Sequence, residues 1–334
     1  MDLNELADTM ALHDIRGDLE QLDRIGSQLG GAIQWLFGLT TGLYFPAGHS
    51  HPTRSAMLDL ALRHHDRVAA NPQTLAVGEA RSRIRARQDI TQGLEKADYF
   101  SDAETIGFYL RQATARGARS TDPVHDFFTA LLPAAGYRGG NGRLMYQTRL
   151  SELSNDKDGI VQTFIEHCRA LNVFYGVSGL SLLFNSYSSG SPERAYPLLQ
   201  RFPGLLYEDI TRFGLEIGQR TDTIRDVNWL TAIDDTLLDR LGGMARAREA
   251  LGAEVILHPY DGGIVFQAGD RPVFGDMTKG DIPPAYRAVN AFLEPLRYDA
   301  WERPYLRVPY GTDAMAFTRW WTHRFDAETP PIPE

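Results

Sequence analysis

Cysteine is almost absent from this sequence, which has one thiol, Cys168, in 334 residues. A single cysteine cannot close an internal disulfide, and it cannot supply the thiolate cage of a zinc site. The chain is therefore compatible with a reducing compartment. It begins with acidic residues, where a secretory signal would be basic and would lead into an apolar stretch. We expect a cytoplasmic protein.

Long apolar runs are also missing. The longest covers residues 33–45 and is interrupted by Gln34, Thr40 and Thr41, whereas a membrane-spanning helix needs about 20 apolar residues. Positive charge is in short supply too, because 34 lysines and arginines face 43 acids and leave a net charge of −9. An acidic surface repels phosphates and anionic headgroups. We therefore expect no membrane partner and no direct nucleic-acid partner.

A catalytic signature is the third absence. His49 and His51 have a spacing seen in metal sites, but they lie in a Pro/Gly turn without a third ligand nearby in sequence. The glycine-rich stretch 136–142 is predicted to follow a helix and precede a strand, so no helix N-terminus faces it as phosphate binding requires. Ser178 lies within an apolar run and not at a strand-to-helix corner. We expect no catalytic, cofactor or metal site.

Charged residues are present in two patterns that suit binding. Acidic residues occur in pairs and near-pairs, and they are candidates for contact with a basic partner such as a DNA-handling enzyme: Glu208, Asp209, Asp222, Asp234 and Asp235. Arginines recur at every second position from 81 to 87. On a strand they would share one face and could bind an anion, although a solvated charged face is the simpler interpretation.

The stretch 228–243 carries the clearest structural pattern. Trp229 and its neighbours favour a strand, and Trp229 is expected in the core. Asp234 or Asp235 can then cap a helix by accepting hydrogen bonds from its free N–H groups. Gly242 and Gly243 are expected to end that helix, since glycine reaches the left-handed conformation without a Cβ clash.

The pattern of the whole chain predicts an α+β fold with a mostly antiparallel or mixed sheet and packed helices. We expect an N-terminal helical segment in residues 1–30, a single α+β domain in 31–326 and a frayed tail in 327–334. Residues 31–70 and 171–204 each show an apolar stretch followed by a helix that proline opens, so they are possible repeats. Residues 33–45 suit a hairpin or one long buried strand, and residues 173–184 are hairpin-like. Helices are also predicted at about 102–115 and 122–133.

An ordered series of short segments resembles the bacterial type VI secretion immunity proteins of the TsiV type, which act against VRR-NUC and related nuclease effectors. The segments are 43–45, 127–132, 201–205, 227–231, 241–243, 262–269, 272–276, 284–287 and 320–326. The resemblance covers nearly the whole chain except the first 30 residues and residues 75–100. It implies a non-enzymatic cytoplasmic inhibitor that binds a cognate nuclease effector, a basic DNA-cleaving toxin, and protects the cell from self or sibling intoxication.

Two other functions are compatible with the residues. One is a metal-dependent hydrolase that uses His49, His51 and a nearby carboxylate. The other is a structural adaptor of a secretion system.

Overall fold

The computed structural model describes residues 3–28, 36–113, 123–137, 140–183, 193, 195–328 and 332. In this part of the chain, ten strands form one sheet in the order β3-β2-β4-β5-β6-β1-β7-β8-β10-β9. Every neighbouring pair is antiparallel. The predicted α+β class with a mostly antiparallel sheet is confirmed.

The strands follow one another along the chain with helices between most of them. Their bounds are β1 Phe37–Phe45, β2 Gln73–Val77, β3 Ala80–Ile84, β4 Ile106–Gln112, β5 Phe127–Leu132, β6 Gly142–Arg149, β7 Tyr175–Leu182, β8 Leu230–Asp234, β9 Val255–Tyr260 and β10 Gly263–Ala268.

Twelve α-helices lie in the described residues. Their bounds are α1 Leu3–Arg16, α2 Glu20–Gln28, α3 His51–Arg67, α4 Arg87–Glu95, α5 Leu150–Asn155, α6 Lys157–Leu171, α7 Tyr196–Arg201, α8 Ile210–Ile217, α9 Asp235–Arg240, α10 Gly243–Ala250, α11 Pro284–Leu293 and α12 Ala314–Thr322. None of the described helices is long and apolar enough to span a bilayer.

Helices cover both faces of the sheet, which explains why its central strands are buried throughout. Tyr44 and Leu43 are neighbours on β1, so their side chains point to opposite faces. The Tyr44 ring contacts Phe213 of α8 with ring centroids 5.1 Å apart. Leu43 pairs with Gly176, beside which Phe164 of α6 lies. Strands β1 and β7, which lie between two helical layers, are buried along their whole length.

The two possible repeats contribute one strand each in the described residues. The stretch from residue 173 was predicted to be hairpin-like, but its described part contains the single strand β7. That strand pairs with β1, so Thr41 lies opposite Ser178 at the centre of the sheet. The hairpin interpretation was wrong: residues 175–182 contain no polar turn, and they form one strand that is buried along its whole length. A duplication of the strand–helix unit stays a prediction.

Two predicted helices are strands. Residues 106–112 form β4, in which Ile106, Phe108 and Leu110 alternate along one buried face. Residues 127–132 form β5, which is buried on both sides over most of its length. Short apolar runs fit either period, and pairing with neighbouring strands decides between them. The helical assignments at 102–115 and 122–133 were therefore wrong, while residues 114–122 lie outside the described part.

The N-terminal helices are confirmed as helices, and α1 packs on the second half of the chain. Its Asp14 carboxylate accepts hydrogen bonds from the backbone N–H groups of Phe274 and Gly275. Its Asp8 pairs with Arg201 at 2.9 Å. Helix α1 is thus tied to the loop that follows β10.

Candidate functional site

The strand–helix unit at residues 230–240 has the structure that its sequence predicts. The Asp234 Oδ1 atom accepts the Leu237 N–H at 2.8 Å and caps α9, so Asp234 is the cap of the two candidates. Trp229 is fully buried, and its Nε1 donates to the Gly269 carbonyl at 3.2 Å. Gly242 and Gly243 follow the end of α9 with φ values of +95° and +76°. They also start the next helix, because Gly242 is the N-cap of α10 and Gly243 its first residue, so the expectation that Gly243 only ends α9 was wrong. These residues have structural roles, so any binding surface in this part of the chain consists of the exposed acids around α9.

Glu208 is not a surface acid. Its side chain is fully enclosed, and its Oε2 accepts a hydrogen bond from Arg225 Nη1 at 2.8 Å. The Tyr44 hydroxyl donates to its Oε1 at 2.6 Å. Gly42 of β1 makes room for it, because a Cβ there would lie 2.6 Å from the Glu208 carboxyl carbon. The expectation that the Glu208 side chain contacts a partner was therefore wrong, since burial removes it from the surface.

The same interior site contains a second ion pair. Asp226 accepts from Arg225 Nε at 2.8 Å and from Arg324 Nη1 at 2.9 Å. The Arg324 guanidinium lies 3.7 Å from the centroid of the Trp321 ring. The four charged groups balance, and together they fasten the segment after α7 and the end of α12 to the middle of the sheet. This buried charge cluster, defined as Glu208, Arg225, Asp226 and Arg324, is a structural element.

Burial and charge act against each other on the two carboxyls of the buried charge cluster. Burial raises the pKa of Glu208, although Arg225 and Tyr44 favour its ionised form. Burial also opposes ionisation of Asp226, yet the two arginines outweigh it and hold the pKa of Asp226 below its usual range. An isolated carboxylate could not be kept charged at this depth, so each acid depends on its arginine.

Asp209 is also committed to the fold. It is 8% exposed, and its Oδ1 accepts the N–H groups of Thr211 and Arg212 at the start of α8. Its own N–H is bound by the Tyr305 hydroxyl. The pair of acids at 208 and 209 therefore offers a partner very little, because one is enclosed and the other is a helix cap.

The remaining acids come together around α9. Asp235 is exposed at the start of this helix. At its other end, Arg240 Nη1 donates to the Asp222 carbonyl at 2.6 Å, which holds the exposed Asp222 there. A helix of six residues is about 9 Å long. The structure thus places Asp222, Asp234 and Asp235 in one region, with Asp234 half-buried by its capping role.

Two further acids that were not predicted from the sequence belong to this region. Asp239 is exposed and lies one turn after Asp235, so both face the same side of α9. Asp261 lies in the β9–β10 turn, which meets α9 because the Asp235 N–H binds the Gly262 carbonyl at 3.2 Å. The i, i+4 spacing was a usable signal for Asp239. Only the folded hairpin brings Asp261 close.

We call the set Asp222, Asp235, Asp239 and Asp261 the α9 surface. The Arg220 side chain binds Asp222 at 2.9 Å and holds its pKa below the usual range. Pairing at such an exposed position stabilises little and exchanges readily for another cation. The α9 surface therefore presents four exposed acidic side chains that can bind a basic group from outside.

The histidines at 49 and 51 are not part of a metal-binding group. His51 begins α3, and its ring stacks on Phe100 with centroids 4.9 Å apart. Ser50 between them caps α3 by accepting the Thr53 N–H. In the described ranges no three His, Cys, Asp or Glu side chains are placed to hold a metal ion. The turn functions locally as a helix start.

The glycine-rich stretch and Ser178 have structural surroundings as well. Asn141 donates to the carbonyls of Gly218 and Arg220, so its loop is a connector fastened to the end of α8. Residues 138 and 139 lie outside the described part. Ser178 is buried in β7 and accepts a hydrogen bond from Thr41 at 2.8 Å. As far as their residues are described, neither feature presents a reactive group to solvent.

Comparison with known proteins supplies independent information. The family model described as "TsiV: Type VI immunity for VRR-NUC" matches residues 152–325, which include the α9 surface and the buried charge cluster. The solved structure titled Pseudomonas aeruginosa T6SS protein PA0821 is similar in fold, with a TM-score of 0.74 and 19% identity over 88% of this chain and 83% of that chain. No curated protein matches the chain.

Proposed function

Since the chain belongs to the TsiV family of type VI immunity proteins, we propose that it binds a cognate type VI nuclease effector and neutralises it. The observation that carries this proposal is the family match over residues 152–325. The resemblance in the ordered sequence segments agrees with it. The encounter takes place in the cytoplasm, because that compartment holds the DNA that a nuclease effector attacks.

The protein acts by binding and not by catalysis. Most of the candidate residues serve the fold: Asp209 and Asp234 cap helices, Glu208 and Asp222 are in ion pairs, and Ser178 is in a buried hydrogen bond. A stoichiometric inhibitor needs a rigid surface that complements its target. Helix α9 offers such rigidity, because Asp234 caps its start and Arg240 ties its end to the Asp222 carbonyl.

The α9 surface is the part that we propose to meet the effector. A nuclease must present cationic groups to the DNA backbone. The carboxylates of Asp222, Asp235, Asp239 and Asp261 can occupy those cationic groups in place of phosphates. Complementary charge speeds association and fixes the orientation of the complex. Covering the DNA-binding cleft then prevents DNA from reaching the catalytic centre.

A co-expression experiment tests both levels of the proposal. The chain is produced with the nuclease encoded beside it, and growth and co-elution on a sizing column are measured. The double substitution Asp222→Lys with Asp235→Lys reverses charge on the α9 surface. We expect it to abolish rescue and to weaken binding at least tenfold, because two attractive contacts become repulsive.

The matched control reverses two exposed acids at the other end of the sheet, Glu79→Lys with Glu95→Lys. It changes the net charge equally and should leave rescue and co-elution intact. If the unaltered chain neither rescues growth nor forms a complex, the proposed function fails. If the Asp222/Asp235 variant protects as well as the control does, the function stands and the α9 surface is the wrong location.

A further inference from the structure

The sheet ends in two outer strands of different character. Strand β9 contains Pro259, which has no N–H and so cannot donate to an added strand. Strand β3 has no proline, and residues 80–83 are all exposed. Its five residues pair with β2 on one side only. About half of their backbone polar groups therefore point outward and can pair with another extended chain.

Two arginines mark this open edge. Arg81 and Arg83 lie two positions apart, so both side chains stand on one face of the sheet. Their cross-strand neighbours on β2 are Ala76 and Thr74, which carry no charge. Among the described residues neither guanidinium has an acidic partner. Arg87, the last arginine of the same alternating series, does have one, since it pairs with Asp66 at 3.2 Å.

Free cations at this edge are unexpected in a chain with a net charge of −9. Charged side chains on an outer strand prevent unwanted strand pairing. That protection is selective. Two arginines repel a basic strand and make no favourable charge interaction with an apolar strand, but they attract an acidic strand. The edge therefore combines an open hydrogen-bonding ladder with a charge preference.

We propose that the β3 edge binds an extended acidic segment of a partner protein, which adds to the sheet beside β3. Carboxylates at alternate positions of that segment would lie about 6.6 Å apart, which is the spacing of Arg81 and Arg83. An added strand lies about 4.8 Å from β3. At that distance each guanidinium can bind a carboxylate with two parallel hydrogen bonds.

This site is independent of the α9 surface. Helix α9 follows β8, and β8 lies seven positions from β3 in the sheet order, which is about 34 Å along the sheet. One small domain docked on α9 would not reach it. The proposal therefore does not rest on the proposed function.

Fluorescence anisotropy with a labelled peptide of alternating glutamate and valine tests the proposal on the full chain. We expect binding that Arg81→Glu with Arg83→Glu weakens at least tenfold. The matched variant, Arg248→Glu with Arg319→Glu, changes two exposed arginines elsewhere and should stay within twofold. The peptide affinity of the Arg81→Gln with Arg83→Gln variant should lie between those of the glutamate variant and the matched variant. Circular dichroism establishes that each variant is folded.

Two further probes separate strand addition from plain charge attraction. A peptide of alternating glutamate and proline carries the same charges without the ladder N–H groups, and it should bind at least tenfold more weakly. A peptide of alternating lysine and valine should not bind. Equal binding of the glutamate–proline peptide, or an Arg81/Arg83 variant that binds like its control, would overturn the proposal. So would a single-stranded oligonucleotide that binds more tightly through the same arginines.

Discussion

Arg225 and Glu208 form an ion pair at 2.8 Å with both side chains completely shielded from solvent. A buried pair of this kind adds little net stability over apolar packing, but losing one partner is costly because the other charge stays in a medium that cannot solvate it. Arg225 also neutralises Asp226. The arginine therefore holds two carboxyls at the centre of the molecule.

Replacing this arginine should destabilise the fold strongly. Arg225→Ala leaves Glu208 and Asp226 with less compensation, and we expect the free energy of unfolding to fall by about 3–5 kcal/mol. Urea denaturation measures it. The control, Arg220→Ala, breaks the exposed pair with Asp222 and should cost less than about 1 kcal/mol. Equal losses for the two variants would show that the interior pair is unimportant.

A second prediction concerns the close contact between Gly179 of β7 and Asn228 in the loop before β8. A Cβ on Gly179 would lie 1.8 Å from the Asn228 Oδ1 atom, and that oxygen accepts the Trp229 N–H at 2.9 Å. Gly179→Ala should therefore displace Asn228 and cost about 1–3 kcal/mol.

The strand glycine Gly107 is the matched control for this prediction. A Cβ there would meet only the Leu131 Cδ1 atom, at an ordinary 3.4 Å. Gly107→Ala should be neutral or slightly stabilising, by up to about 1 kcal/mol. Thermal unfolding followed by circular dichroism compares the two variants, and similar melting temperatures would contradict the steric argument.

Local patterns predicted those parts of the fold that depend on local chemistry. The helix cap at Asp234 and the positive φ of Gly242 follow from a few adjacent residues. Glu208 was misplaced because its partner Arg225 is 17 positions away, and an acid next to Asp209 looks like a surface pair. The sequence of β4 fits a helix as well as a strand, and only its neighbours in the sheet decide between the two periods. Contacts between residues that are far apart in the sequence, such as ion pairs and strand pairing, are therefore what the sequence does not reveal.

The two acids at the start of α9 should differ in their contribution to the free energy of unfolding. Asp234 is half-buried and caps the helix, so Asp234→Ala should cost about 0.5–2 kcal/mol. Asp235 is exposed, and Asp235→Ala should change the free energy of unfolding by less than about 0.5 kcal/mol. Urea denaturation of both variants checks this order. If Asp235→Ala lost more unfolding free energy than Asp234→Ala, Asp235 and not Asp234 would be the N-cap of α9.

The attachment of α1 should depend on pH through Asp14. This carboxyl accepts the N–H groups of Phe274 and Gly275, and burial raises its pKa from 3.8 to about 6. The folded state therefore holds the proton more tightly than the unfolded chain does. The stability that this carboxyl contributes is fully present below about pH 4 and is lost as the pH rises to about 6.

Asp14→Asn isolates this contribution, because the amide oxygen still accepts the N–H groups but carries no titrating proton. Relative to this variant, the unaltered chain should lose on the order of 1–2 kcal/mol of unfolding free energy between pH 4 and pH 6. Above that range the difference should be constant. Asp14→Ala removes the acceptor at every pH, so it should lie below Asp14→Asn throughout. A difference that stays flat from pH 4 to pH 6 would mean that Asp14 is not buried against the Phe274 and Gly275 backbone.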